Sequence, residues 1–265
     1  MALLKISHRT EYIYEQAVHH SIHELRLTPL SLPNQQVISW KMNTPGKTHE
    51  SVDAFGNTSH VFVMENNYSS MIIDVRGEIQ SSPELTFPDK SSAVSPYYLL
   101  QQTPLTQPSD DMLNFFQLSS TSEWSAQFIQ DLAKKICDKV VYTPGSTSTK
   151  TTAIEAFALS SGVCQDHAHI MIGLCRQLNV PARYVSGYFY ATDTTDLASH
   201  AWVDVCLNPE DGVWTSIDIS NACFSDERHI RLAVGRDYSH ACPVKGIRSG
   251  GGTEELITKI TIEKC

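Results

Sequence analysis

Ser160-Ser161-Gly162-Val163-Cys164-Gln165-Asp166-His167-Ala168-His169 is the stretch whose reading decides the fold. Small turn-forming residues give way at Cys164 to a run that closes at Asn179 and Pro181. That pattern predicts a helix from about Cys164 to Leu178. The cysteine then stands in the first turn, where unpaired backbone N–H groups and the positive end of the helix dipole favour a thiolate. A free cysteine is more often a small buried hydrophobe, so position alone does not make Cys164 a nucleophile.

The residues downstream supply what a nucleophile needs. Arg183–Ala191, Ser199–Leu207 and Val213–Ile219 read as strands, and Asn208 to Gly212 is a polar hairpin loop joining the last two. If that turn centres near residue 209 or 210, His200 lies opposite Asp218 or diagonal to it, on a shared face. A strand histidine or a strand-end aspartate is ordinarily structural when it occurs alone. A thiol at a helix start, a histidine base and a carboxylate to orient it together make the generalised catalytic triad.

Upstream, Trp124, Phe128, Leu132, Ile136 and Val140 recur every fourth residue and predict an amphipathic helix, broken at Thr143-Pro144-Gly145. Thr152 and Glu155 have capping-box spacing, so a second helix begins there and ends at Ser160-Ser161-Gly162. The first ninety residues read differently, as short strands at Leu3–Ile6, Thr10–Tyr14, Ser39–Met42, Val61–Met64 and Ile72–Val75. Residues 81 to 110 carry five prolines amid Ser, Thr and Gln and read as connecting chain. The expectation is an α+β protein: a small β-sandwich-like domain over 1–90, a linker over 91–120, and helices packed on an antiparallel sheet over 121–265. A final strand after Gly250-Gly251-Gly252 either closes the second domain or returns to the first.

Composition narrows the partners. With 265 residues, 41% of them hydrophobic, the chain has material for a sizeable core, and a net charge of −9 argues against nucleic acid or an anionic membrane surface. No apolar run is long enough to span a bilayer. The first ten residues alternate and precede no small-residue cleavage site, so no export signal is read. Seven cysteines without a paired C-x-x-C spacing suggest reduced thiols in a cytoplasm. Cys164, His167 and His169 crowd one helix start, but His169 falls well round the helix from Cys164 and no standard zinc spacing appears, so neither metal nor cofactor is expected. The histidines at 8, 19, 20, 23, 49 and 60 read as half-exposed strand polarity.

Gly162-Val163-Cys164-Gln165-Asp166, Pro181-Ala182-Arg183-Tyr184-Val185-Ser186-Gly187-Tyr188, Ser199-His200-Ala201-Trp202-Val203 and the Asp218 strand resemble the transglutaminase-like superfamily. The similarity is greatest to its bacterial branch, proteins often assigned as cysteine proteases. His23-Glu24-Leu25-Arg26-Leu27 and Asp53-Ala54-Phe55-Gly56-Asn57 resemble the β-rich N-terminal domain that accompanies this core. Asp226-Glu227-Arg228-His229-Ile230 and Gly235-Arg236-Asp237-Tyr238 resemble its C-terminal portion.

The resemblance implies a papain-like core with Cys164 as nucleophile, His200 as general base and acid, and Asp218 as orienting carboxylate. It implies a cysteine-dependent amide or peptide hydrolase working through a thioester on a peptide or protein substrate. Acyl transfer to a primary amine and a non-catalytic binding scaffold are the alternatives. The Cys164 backbone N–H is the first oxyanion donor to consider. Tyr142 and Trp202 are candidates for the second, with Asp166 and His167 beside the cleft. The chain departs from the family at two points: Asp218-Ile219-Ser220 stands where Asp-Pro-Thr is frequent, and His167 occupies a helix position that is commonly aromatic. His167, three residues from Cys164, is the alternative base.

Overall fold

The computed structural model describes residues 2–118, 124–191 and 199–265, so the expected boundary at 120/121 falls outside the described residues. The chain begins with β1 (Ala2–Thr28), followed by β2 (Gln35–Asn43), β3 (His49–Val52), β4 (Thr58–Met64) and β5 (Tyr68–Ser81). The two short strands expected at Leu3–Ile6 and Thr10–Tyr14 are parts of one 27-residue strand. Its first half pairs with β5 and its second with β4, and the register shifts between Ile13 and Val18. The strand bends there without ending. Leu4, Ile6, Val18 and Leu25 face one core with Phe62, Ile73 and Val75.

A short β6 (Phe87–Pro88) leads to α1 (Asp110–Phe116) and α2 (Ala126–Lys139). Helix α2 starts where the Ser125 hydroxyl accepts from the Phe128 N–H, and it buries Ile129, Leu132, Ala133 and Ile136. Next come β7 (Val141–Tyr142), α3 (Ala153–Leu159), β8 (Ser161–Gly162) and α4 (Cys164–Gln177). Thr152 and Glu155 form the expected reciprocal capping box on α3. The three helices expected between Trp124 and Leu178 are thus α2, α3 and α4.

The second sheet holds β9 (Ala182–Phe189), β10 (Ser199–Asn208), β11 (Val213–Asp218), β12 (Cys223–Phe224) and β13 (His229–Gly235), in the order β12-β11-β10-β9-β13 with β6 against β11. Helix α4 lies across this sheet, packing Ile170, Met171 and Leu174 in one core with Ala201, Val203 and Ile217. After a single turn of α5 (Tyr238–Ala241), β14 (Val244–Gly250) and β15 (Glu254–Lys264) return to pair with β1. The architecture is a papain-like α+β core behind a curled, antiparallel β-rich region.

Two side-chain amides join the halves. Asn57 donates to the Val234 carbonyl at 2.7 Å and accepts from the Val234 N–H at 2.7 Å. Gln35 does the same for Arg231, at 2.9 and 2.7 Å. The outer edge of β13 is therefore completed by the N-terminal region, which satisfies backbone groups that burial would otherwise strand. Asp53 holds this turn by accepting from Phe55, Asn57 and Arg26. Gly56 sits at φ +86°, and a Cβ there would stand 2.7 Å from the Ser91 carbonyl oxygen.

Beneath the sheet, Asp204 is paired with Arg183 at 2.8 Å and with Arg231, while Arg183 also reaches Asp89 at 2.6 Å. Three of the six histidines of the first region correct the expectation of half-exposed polarity: His8, His23 and His60 are buried, whereas His19, His20 and His49 are exposed. His8 is hydrogen-bonded to Tyr188 at 2.7 Å and Thr10 at 2.8 Å, and His23 stacks on Phe62. Paired imidazoles fit a core position that an unpaired polar group could not hold. No helix among the described residues is long and apolar enough to cross a membrane.

Candidate active site

Cys164 occupies the first position of α4, immediately after the short strand β8. The Asp166 carboxylate folds back to accept the Val163 N–H at 2.7 Å and the Thr147 hydroxyl at 2.6 Å, fixing the entry to the helix. Gly162 is required at this corner, since a Cβ there would come within 2.8 Å of the Asp166 carboxylate. Burial raises the Asp166 pKa against the pull of these donors. Asp166 is thus a buried helix-capping group.

The hairpin register settles where His200 stands. Val203 pairs with Ile217 and Asp204 with Ser216, so Asp218 lies opposite Trp202 and diagonal to His200. The His200 Nε2 donates to Asp218 Oδ2 at 2.7 Å, and the Cys164 thiol lies near enough to His200 to act on its pKa. Burial opposes the imidazolium, but the Asp218 carboxylate and the thiol outweigh it and raise the His200 pKa to about 10. Asp218 itself is fully buried; desolvation pushes its pKa up, yet the charge and hydrogen bonds of His200 and His229 hold it well below the carboxylate range. The three residues singled out in the sequence are thus linked in one chain of contacts.

The remaining candidates separate. Tyr142 is half exposed on β7, and its pKa is raised first by burial and then by the nearby Cys164 and Asp218. Trp202 is buried in a cluster with Phe87, Val185 and Trp214, and its Nε1 has no partner among the described residues. His167 is also buried, with Nε2 donating to the Val140 carbonyl at 2.7 Å and Nδ1 at 2.8 Å from the Ser220 hydroxyl. Both its nitrogens are engaged away from the thiol. His169 accepts from the Tyr238 N–H at 3.2 Å and does not converge with Cys164 and His167 on a common point.

Two residues given no role by the sequence reasoning stand against Asp218. His229 Nε2 is 3.0 Å from Asp218 Oδ2, and Asn221 donates to the same oxygen at 2.7 Å. Asn221 was within reach of a sequence signal, since Asn three residues after a carboxylate commonly closes a turn. His229 was not, because it arrives from β13, two strands away from β10. His200, Asp218 and His229 are the one group among the described residues whose ligand atoms crowd as a metal site would, within 4.8 Å. Those atoms are already joined by hydrogen bonds, an arrangement in which two imidazoles share one carboxylate.

Comparison with known proteins finds relatives of this chain in sequence and in fold. Residues 4–80 match the family described as the bacterial transglutaminase-like N-terminal region, and residues 116–219 match the transglutaminase-like superfamily. An uncharacterized protein of Mycobacterium leprae is 28% identical over 98% of both chains. An uncharacterized protein of Mycobacterium tuberculosis is 28% identical over 92% of this chain and 86% of its own length. Among solved structures, a "Putative Cysteine Protease" of Cytophaga hutchinsonii superposes with a TM-score of 0.78 at 18% identity, covering 99% of this chain and 90% of that one. That likeness is one of fold.

Proposed function

Because the chain belongs to the transglutaminase-like superfamily, we propose that it is a cysteine-dependent amide or peptide hydrolase with Cys164, His200 and Asp218 as its triad. The observation that carries the reading is the buried Asp218 carboxylate holding Nε2 of His200 at 2.7 Å while the Cys164 thiol meets the same imidazole at a helix start. In the proposed reaction the thiolate attacks an amide carbonyl carbon, and the carbonyl π electrons move to oxygen. The Cys164 backbone N–H receives that oxyanion, with the Tyr142 phenol as second donor. Collapse of the intermediate breaks the C–N bond, His200 gives its proton to the departing amine, and a thioester remains. His200, now neutral, takes a proton from water as the water attacks the thioester, which frees the acid and restores the thiol pair.

The substrate proposed is a peptide or protein, and the compartment a reducing one, in keeping with seven free cysteines. The test is to incubate the protein with peptide amides, with and without an added primary amine, and to follow Cys164 by intact mass. Acylation of Cys164 followed by release of free acid is the expected result. Incorporation of the amine into product would instead make the protein an acyl transferase. A chain that never acylates, and whose Cys164→Ser variant behaves identically toward every peptide, would be a binding scaffold.

A further inference from the structure

We propose that His229 is a positioning residue of this centre, a second imidazole that shares the Asp218 carboxylate with His200 and so sets the strength of the pair formed with Cys164. The proposal rests on the triad reading given above. Asp218 Oδ2 receives three donors: Nε2 of His200 at 2.7 Å, Nδ2 of Asn221 at 2.7 Å and Nε2 of His229 at 3.0 Å. Its other oxygen receives, among the described residues, the Asn221 backbone N–H alone, at 3.2 Å. The carboxylate is thus loaded on the oxygen that serves His200.

The His229 proton can be located. The backbone N–H of Asp226 approaches Nδ1 of His229 at 3.1 Å and can only donate, so Nδ1 accepts and the ring proton sits on Nε2, aimed at Asp218. Asp226 Oδ1 stands 3.2 Å from the same Nδ1, but Arg228 already donates to that oxygen through its backbone N–H at 2.9 Å and its Nε at 3.0 Å. The ring is 1% exposed and wedged against Phe189 and Trp202, with centroids at 4.8 and 5.3 Å. It has no room to turn its donor elsewhere.

An oxygen that accepts three hydrogen bonds holds each donor less tightly than one devoted to a single donor. His229 therefore fixes the carboxylate in place and moderates its grip on the His200 proton. The charged and titratable groups that face His229 are Asp218 on β11, His200 on β10, and Asp226 and Arg228 from the turn before β13. Cys223 on β12 lies in the field of the same groups, and His167 on α4 and Cys137 on α2 feel Asp218 from the helical side. None of these others donates to Oδ2 of Asp218 in place of His229.

The test compares His229→Gln with His229→Met, side chains of equal length that differ in the donor. The rate of Cys164 carboxamidomethylation by iodoacetamide is followed from acid to alkaline pH, and imidazole N–H protons are read in the downfield proton NMR spectrum. Two downfield resonances are expected in the unsubstituted protein, one from each histidine on Asp218. His229→Met should remove one and move the alkaline inflection, where the His200 imidazolium loses its proton, up by roughly half a unit or more. His229→Gln should keep the inflection near its original place. Equal inflections in both variants, or a single downfield resonance in the unsubstituted protein, would overturn the role of His229. A Cys164 no more reactive than the other thiols in the unsubstituted protein would overturn the triad reading instead, and the two failures are told apart by the NMR spectrum.

Discussion

His167 Nδ1 and the Ser220 hydroxyl are hydrogen-bonded at 2.8 Å, which ties the helix bearing Cys164 to the turn after Asp218. The other ring nitrogen donates to the Val140 carbonyl, so Nδ1 is the acceptor and the serine hydroxyl the donor. These are the two positions at which the sequence leaves the pattern usual in its family. Each departure is the other's partner. An imidazole used in this way joins α4, the end of α2 and the carboxylate turn, and both its nitrogens are taken up.

Thiol reactivity should set Cys164 apart from the buried cysteines. Burial pushes Cys206 and Cys223 up to about 11 and Cys175 higher still. Mild alkylation near neutral pH, read by peptide mass spectrometry, should mark Cys164 together with the exposed Cys265 and spare those three. His200→Ala should slow the labelling of Cys164 by roughly 10²-fold or more while leaving Cys265 unchanged.

Removing the Tyr142 hydroxyl tests the second oxyanion donor. Tyr142→Phe should lower the acylation rate by about 10²-fold with little change in substrate binding or melting temperature. Trp202→Phe should do the reverse, lowering the melting temperature through lost packing and sparing the chemistry. Steady-state kinetics beside thermal denaturation would distinguish the two variants.

Acid should weaken the fold before the carboxylates titrate. Burial lowers His8 and His169 to about 4, so between pH 6.5 and 4 the unfolded chain binds protons that the folded chain refuses. Stability then falls as pH drops through that window and levels off below it for these two groups. His200 acts in the opposite sense: raised to about 10, its contribution is complete below pH 6.5 and is lost as pH climbs through 10. Urea midpoints across pH should describe a maximum between the two windows, and a midpoint independent of pH from 4 to 7 would contradict the assignment.

Asp204 is the keystone of the ion cluster under the sheet, with Arg183, Arg231 and Ser216 all directed at it. Asp204→Asn leaves two buried guanidinium groups short of charge and should cost about 3–5 kcal/mol of unfolding free energy. Equilibrium urea denaturation would measure it.

Asn57→Ala should loosen the join between the two halves. It removes both bonds to Val234 and one to Asp53, a loss of about 1–3 kcal/mol. Hydrogen exchange at the Val234 amide should accelerate relative to amides in the middle of β10.

The parts of this structure that were readable beforehand are those governed by local rules. The length of the Asn208–Gly212 connection brought His200 and Asp218 within one residue pair of each other, and the observed register makes them diagonal neighbours. The capping box at Thr152 and the turn at Gly162 located α3 and α4 because their signals lie within a few residues of the helix starts. Long-range pairings left no such mark. Glu15 and Gln16 look like an interruption of β1, yet their N–H groups are met by Thr253 and Gly251 from far along the chain. Likewise His8 and His229 are explained by Tyr188 and Asp218, partners that no spacing within either local segment announces.

The pairing of β1 with β15 also has a bearing on the order of synthesis. Leu4 through Tyr14 lie against Lys264 through Glu254, so an early-made strand waits for a late-made one. On the ribosome, β1 and β5 can pair while the opposite flank of β1 still presents unpaired N–H and C=O groups. The amides of Gln35 and Asn57, by contrast, are in place before β13 emerges to meet them. The nascent papain-like core is thus received by a prepared surface, whereas the N-terminal sheet is sealed only when that core is already made. A chaperone or a transient partner covering that open flank of β1 would be needed only until residues 254–264 arrive.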